Sequence, residues 1–383
     1  MAIITIIEHP FTQSIKEIIQ INFKDDYNDI FDSSPLIQYI NIKTRSANKG
    51  SKARGSFANL YALYVLIEDY INNGFHNKNL DKNYSNYEGA VYTNLLKRQR
   101  RLPFGKKLQN HALNHRLNEE FKRFFNIQKE PIVRSLTTQR YWIQEDLINV
   151  KVKNNSGDIV SYNIATTLIE IIDLYVEMKQ ESFNTFIKTC QKISTLNTLK
   201  SNDAEKFIIE QLKPNIDARI FEIVSYAILK AKYGEKTVWI GSTKSSVAEE
   251  SLILYKTGRT NANDGGIDFV MKPLGRFFQV TETLDVSKYF LDIDKIQKFP
   301  ITFVVKSILN SDEILFIIKQ QAQSKYKIES VVAEYLNAIE EIINVNDLIT
   351  YFKEVVNNAL LKNVMNEIIS QSQVEFNQVS DWQ

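Results

Sequence analysis

The chain has 383 residues, 44% of them hydrophobic and 24% charged, the balance of an ordinary soluble globular protein with room for two or three domains. Lys+Arg 47 against Asp+Glu 45 leaves a net charge of +2, so any contact with a polyanion has to come from local clusters. The one cysteine, Cys190, excludes an internal disulfide framework and a cysteine-based zinc module, and no apolar run approaches the ~20 residues that cross a bilayer.

Residues 1–7 are apolar but short, lack a basic start and run straight into Glu8, so no signal peptide is expected and a reducing cytoplasm is. Residues 45–56 form a loop of small side chains and spaced cations. Such a loop lets backbone NH groups approach phosphates, and Lys52 and Arg54 are the expected contacts; the alternative is a solvated linker. Leu60, Tyr64, Ile67 and Ile71 then give helical spacing over 57–72.

The densest positive run, residues 97–107, stands between an expected helix at 87–96 and another at 108–125. It supplies Arg98, Arg100, Arg101, Lys106 and Lys107. Asn114 lies with His111, His115 and Asn118 along one face of the second helix, where such side chains read base edges or bind phosphate. His111 and His115 have the spacing of a zinc pair, but no glutamate follows His111 and no further ligands are evident, so they are read as surface or nucleic-acid-facing. Residues 147–153 and 159–163 flank Asn154-Asn155-Ser156-Gly157-Asp158, a hairpin signature. Helices followed by a hairpin resemble a winged-helix domain, and residues 1–164 are expected to be a mainly helical, DNA-recognising region.

Leu168, Ile171, Ile172, Tyr175 and Met178 mark a helical bridge within 165–214. Residues 217–230 read as a largely buried helix, and a strand is expected at 237–241. Glu222 sits among apolar residues on that helix, where a carboxylate is costly unless it meets a cation, a donor or water. The loop 257–263 is rich in hydrogen-bonding groups, with Arg259 and Asn261 as expected DNA contacts.

A polar loop then delivers Asp268 onto an apolar strand, a turn follows around Pro273-Leu274-Gly275, and a second strand returns with polar residues at alternate positions. If Met271 and Arg276 close a four-residue turn, Asp268 stands opposite Gln279, with Thr281 on the same face and Glu282 on the other. A slip of one residue would bring Glu282 into the site instead. A helix near 286–296 and a strand at 300–306 complete the segment. From residue 311 the chain reads as helical, with Ala333, Leu336, Ile339, Ile343 and then Leu348, Phe352, Val355, Leu360 as stripes for a core or a dimer surface. There is no phosphate-binding loop, dinucleotide fingerprint or nucleophile elbow.

The hairpin resembles that of the PD-(D/E)xK nuclease superfamily, which includes most type II restriction endonucleases, and the order helix, strand, hairpin, helix, strand is the superfamily's core order. The resemblance implies an α/β (α+β) nuclease core at 215–310, a mixed sheet flanked by helices, with residues 311–383 packed on it or forming a dimer surface. Its first aspartate corresponds to Asp268, with Ile267 in place of the proline; its second acid corresponds to Gln279 and its lysine to Thr281. A glutamine oxygen can still bind a hard cation. A threonine cannot supply positive charge, and Lys306 and Lys272 are the nearest substitutes. The superfamily often places a glutamate where Glu222 stands. The activity implied is Mg2+-dependent, sequence-specific hydrolysis of double-stranded DNA by a homodimer in the bacterial cytoplasm, paired with a DNA methyltransferase. The alternatives are a non-catalytic DNA-binding protein with a degenerate nuclease domain, and a scaffold without a DNA role.

Overall fold

The computed structural model describes residues 8–45, 53–77, 83–106, 108–126, 128–153, 157–194, 201–213, 216–257 and 267–376. Met1–Thr185 and Phe186–Gln383 form two compact units. Among the described residues no helix is long and apolar enough to cross a membrane.

The first unit begins with α1 (Pro10–Phe23), α2 (Tyr27–Ser33), α3 (Pro35–Thr44) and α4 (Ala53–Asn72). Ser34 starts α3 by accepting the Ile37 NH, with Pro35 at the first helical position, where its missing NH costs nothing. α4 is the central helix. It buries Tyr61, Ala62, Leu63 and Val65 as well as the expected Leu60, Tyr64 and Ile67, so it is apolar nearly all round and enclosed by the rest of the unit.

Next come β1 (Ala90–Val91), α5 (Tyr92–Arg101), a π-turn at Ala112–Arg116, α6 (Leu117–Phe125), β2 (Ile132–Ser135) and β3 (Arg140–Ile143). Their sheet has the order β1-β3-β2. The β2–β3 hairpin was not expected from sequence. It is held partly by Asn118, whose amide donates to the Ile132 carbonyl (2.8 Å) and accepts the Ile132 NH (3.1 Å). α7 (Glu145–Ile148), β4 (Asn149–Lys153) and β5 (Ile159–Asn163) follow, and β4 and β5 pair as the expected hairpin.

α8 (Ala165–Ser194) carries the chain into the second unit. The expected bridge is therefore divided. Leu168, Ile171, Ile172 and Tyr175 belong to the first core, whereas Ala204 and Ile208 of α9 (Ser201–Gln211), with Leu212 just after it, belong to a core of the second.

The second unit continues with α10 (Ala218–Gly234), β6 (Thr237–Ile240), β7 (Ala248–Ser251), β8 (Ile253–Lys256), β9 (Phe269–Lys272), β10 (Arg276–Thr281), α11 (Val286–Lys295), β11 (Ile301–Val305), α12 (Ser311–Lys325), α13 (Glu329–Asn337), β12 (Ile339–Ile343), α14 (Val345–Asn357) and α15 (Leu361–Phe376). Five strands form a mixed sheet in the order β12-β11-β10-β9-β8, antiparallel among β8, β9 and β10 and parallel among β10, β11 and β12. One face packs on α10, α14 and α15 through Leu254, Phe269, Met271, Phe278, Val304 and Ile343. The other packs on α11, α12 and α13 through Ile301, Phe303, Val305 and Ile342. With helices on both faces, β11 is buried along its whole length, which is why it is apolar except for Thr302, whose hydroxyl accepts from Arg276.

Two sequence expectations are corrected here. The strand at 237–241 is outside the central sheet: β6 pairs only with β7, and β8 takes the place beside β9. Ile339–Ile343 is a strand, because β11 offers a parallel edge whose pairing outweighs the helical spacing of its isoleucines. The stripe Leu348, Phe352 and Val355, one of those considered for a dimer surface, is buried in the core that α10 shares.

Candidate active site on the central sheet

The site is organised by the turn between β9 and β10. Gly275 adopts the left-handed conformation (φ +67) that lets the chain reverse, and its NH donates to the Met271 carbonyl at 2.9 Å. Arg276 pairs with Met271, Phe277 with Val270 and Phe278 with Phe269, the register read from the sequence. The pairing ends at Phe269 and Phe278. Beyond it the Asp268 NH donates to the Phe278 carbonyl (3.2 Å), one residue off the expected partner Gln279, and the Val280 NH donates to Asp268 Oδ2 (2.7 Å).

Alternation assigns the faces. Phe278 and Val280 pack in the α10 core and Phe277 in the α11 core, so Gln279 and Thr281 face α11 and Glu282 faces α10. Asp268 precedes β9 at the end of the strand, where its carboxylate senses charges on both sides. Burial pushes its pKa up to about 7, and Glu222 on α10 and Asp292 on α11 push the same way; the Val280 NH and Lys256 oppose them.

On the α10 face the acids are paired. Glu222 meets Lys256 of β8 at 2.7 Å, and Glu282 meets Lys306 at 2.6 Å. Lys306 also donates to the Ile216 carbonyl and lies 5.5 Å from the centre of the Phe221 ring, so it is occupied in holding the fold. Lys272 lies near the turn over the Tyr255 ring, 5.3 Å from its centre.

On the α11 face the picture differs. Gln279 is only 7% exposed, and its Oε1 is buried with no hydrogen-bond partner among the described residues. Thr281, also buried, receives a 3.4 Å hydrogen bond from Lys288 Nζ on α11. Lys256, Lys288 and Asp292 were all missed in the sequence reading. The signal for Asp292 was the one that singled out Glu222, an acid within an apolar helical stripe, here Tyr289, Phe290 and Ile293.

The donors available are hard oxygens, carboxylate and amide, suited to Mg2+. A buried amide oxygen left without a donor among the described residues, on the strand beside Asp268, fits a cation as its partner. Among the described residues no three His, Cys, Asp or Glu side chains gather as a metal-binding group, so a cation here would need the amide and water beside its carboxylate ligand.

In the first unit Lys97, Arg100, Arg101 and Lys106 are exposed around the end of α5, whereas Arg98 is held bidentately by Glu68 (2.8 and 2.7 Å). Arg100 Nε donates to the Leu108 carbonyl (3.2 Å). His111 and His115 are exposed, but Asn114 accepts a hydrogen bond from the Tyr141 hydroxyl (3.2 Å) and Asn118 is buried against β2. The expected recognition face is thus half surface and half structural joint. Lys52, Lys107, Arg259 and Asn261 lie outside the described residues, as does the side chain of Arg54. No protein-family model matches this chain, and neither the curated proteins nor the solved structures contain a match to it.

Proposed function

We propose that the second unit is the nuclease core of a Mg2+-dependent, sequence-specific endodeoxyribonuclease, a type II restriction enzyme acting on double-stranded DNA. The observation that carries this reading is the β9–β10 hairpin, which brings to its end both Asp268 and Gln279, whose amide oxygen is buried without a partner among the described residues. The order α10, β8, β9, β10, α11, β11 supports it, as the core order of the PD-(D/E)xK resemblance.

Asp268 and Gln279 would hold the cation, and Glu222 would act directly or through water. When bound, Mg2+ polarises the scissile phosphate and makes an attacking water more acidic. The chain's own residues orient and compensate. The Val280 NH fixes one oxygen of Asp268, Thr281 positions the water, and Lys288 brings to Thr281 the positive charge that threonine lacks. In the first unit the order α4, β1, α5, α6, β2, β3 with sheet order β1-β3-β2 supports a winged-helix reading, with the β2–β3 hairpin as the wing. Arg100, Arg101 and Lys106 would contact phosphates. A two-fold homodimer cutting both strands of a palindrome, a companion methyltransferase and a cytoplasmic setting belong to the same proposal.

Incubation of purified protein with plasmid DNA and Mg2+ tests it: discrete fragments are expected. A gel shift without cutting would favour the second reading, a sequence-specific DNA-binding protein with an inactive core, for which Thr281 in place of lysine is the supporting observation.

A further inference from the structure

We infer that Asp292 is an oxygen donor of the cation site, so that the cation is held between the sheet and α11 rather than on the α10 side; this rests on the reading of Asp268 and Gln279 as cation ligands. Three buried polar atoms on the α11 face have no hydrogen-bond partner among the described residues: Gln279 Oε1, the Tyr289 hydroxyl and Asp292 Oδ2. Packing links the residues that carry them. The Tyr289 ring packs on Phe303 with centroids 4.4 Å apart, and Phe303 is the strand neighbour of Gln279. Asp292 lies one helical turn beyond Tyr289 and acts electrostatically on both Tyr289 and Asp268.

Asp292 is 2% exposed, and Lys295 meets only its Oδ1, at 2.7 Å. A trapped water could serve the hydroxyl and the amide. Lys295 already compensates the charge of Asp292 but leaves Oδ2 buried, and a divalent cation shared with Asp268 would satisfy that oxygen and the amide together. Glu222 is met by Lys256 in the same way but leaves no buried oxygen unpaired among the described residues, so it would act through water. Two carboxylates and an amide oxygen are a donor set that Mg2+ or Mn2+ completes with water.

The test uses the full chain and two probes. With Mn2+ counted by electron paramagnetic resonance, Asp292→Asn should weaken binding at least tenfold, and Glu222→Gln should weaken it less than Asp292→Asn does. With Tb3+, excitation of tyrosine should give sensitised emission that falls by more than half in Tyr289→Phe while Tb3+ stays bound. Tyr289→Phe keeps the ring that packs on Phe303, so this arm stands if Asp292→Asn fails to fold. Mn2+ affinity unchanged in Asp292→Asn but lost in Asp268→Asn would overturn the assignment and leave the nuclease reading intact. Undiminished Tb3+ emission from Tyr289→Phe would overturn it too. A wild-type chain that binds no Mn2+ through Asp268 would bring down both.

Discussion

The α10 and α11 faces of the central sheet handle polar groups differently. On the α10 face part-buried Glu222 is held by Lys256 and exposed Glu282 by Lys306, the latter lysine also anchored to the Ile216 carbonyl. On the α11 face Gln279, Tyr289 and Asp292 each leave a buried polar atom without a partner among the described residues, Asp292 only at the oxygen that Lys295 does not meet. A paired and hydrogen-bonded charge is tolerable, so the first face reads as structure. Unpaired buried groups lower stability, and those on the α11 face are the ones the proposed cation would satisfy. Asp268 stands at the end of the strand where both influences meet.

The largest expected effect lies at that meeting point. Asp268→Ala should lower Mg2+-dependent cleavage about 100- to 1000-fold or more, while DNA binding in Ca2+ persists. Cutting at the wild-type rate would remove the distinction between the faces along with the site.

The next test breaks a pair on the α10 face. Lys256→Met leaves part-buried Glu222 uncompensated and should cost about 1–2 kcal/mol in denaturant unfolding, between an exposed and a fully buried ion pair. A loss well under 1 kcal/mol would mean that the pair is not what holds this face.

The opposite sign is expected on the α11 face. Gln279→Leu removes an unsatisfied amide oxygen and should stabilise the metal-free chain by about 1–3 kcal/mol while abolishing cleavage. Destabilisation instead would show that Gln279 has a structural partner.

pH sharpens the same contrast. The folded-state pKa of Asp268 is raised to about 7, by burial first and then by Glu222 and Asp292 against the Val280 NH and Lys256. A carboxyl raised on folding is least harmful when protonated. Its penalty should be absent below about pH 4, the ordinary carboxylate value, grow as pH rises, and level off above 7. Asp268→Asn should flatten that part of the stability–pH curve, measured without divalent cations, and an unchanged curve would contradict the assigned environment.

The smallest effect carries the comparison to α5. Arg98 is paired with Glu68 and Arg101 is exposed without an ion pair, so Arg98→Ala should cost stability, about 1 kcal/mol. Arg100→Ala with Arg101→Ala should instead flatten the salt dependence of duplex binding by roughly 0.9 per lost phosphate contact. An unchanged salt slope would make this turn a solvated surface.

Much of the hairpin was legible in advance. The register of β9 on β10, the placing of Glu282 on the face opposite Gln279, α10 and the β4–β5 hairpin follow from alternation, turn residues and helical spacing. These are local rules, and the residues obeying them are close in sequence. The misreadings were non-local. β6 had strand composition but found its partner in β7, outside the main sheet, and β12 had helical spacing but lay beside a free strand edge. Asn118 looked like a base reader until the chain brought Ile132 against it.

By itself the sequence determined which residues pair and alternate across the β9–β10 turn, from Met271 with Arg276 to Phe269 with Phe278, because a strand's period and a tight turn fix that register. Only the tertiary structure decided which acids acquired lysines. Lys256 reaches Glu222 across a helix-to-sheet contact, Lys306 reaches Glu282 across parallel strands, and Asp292 comes to Asp268 from a helix packed on the far face. Charge compensation depends on distance and burial, and both are fixed when distant segments pack together.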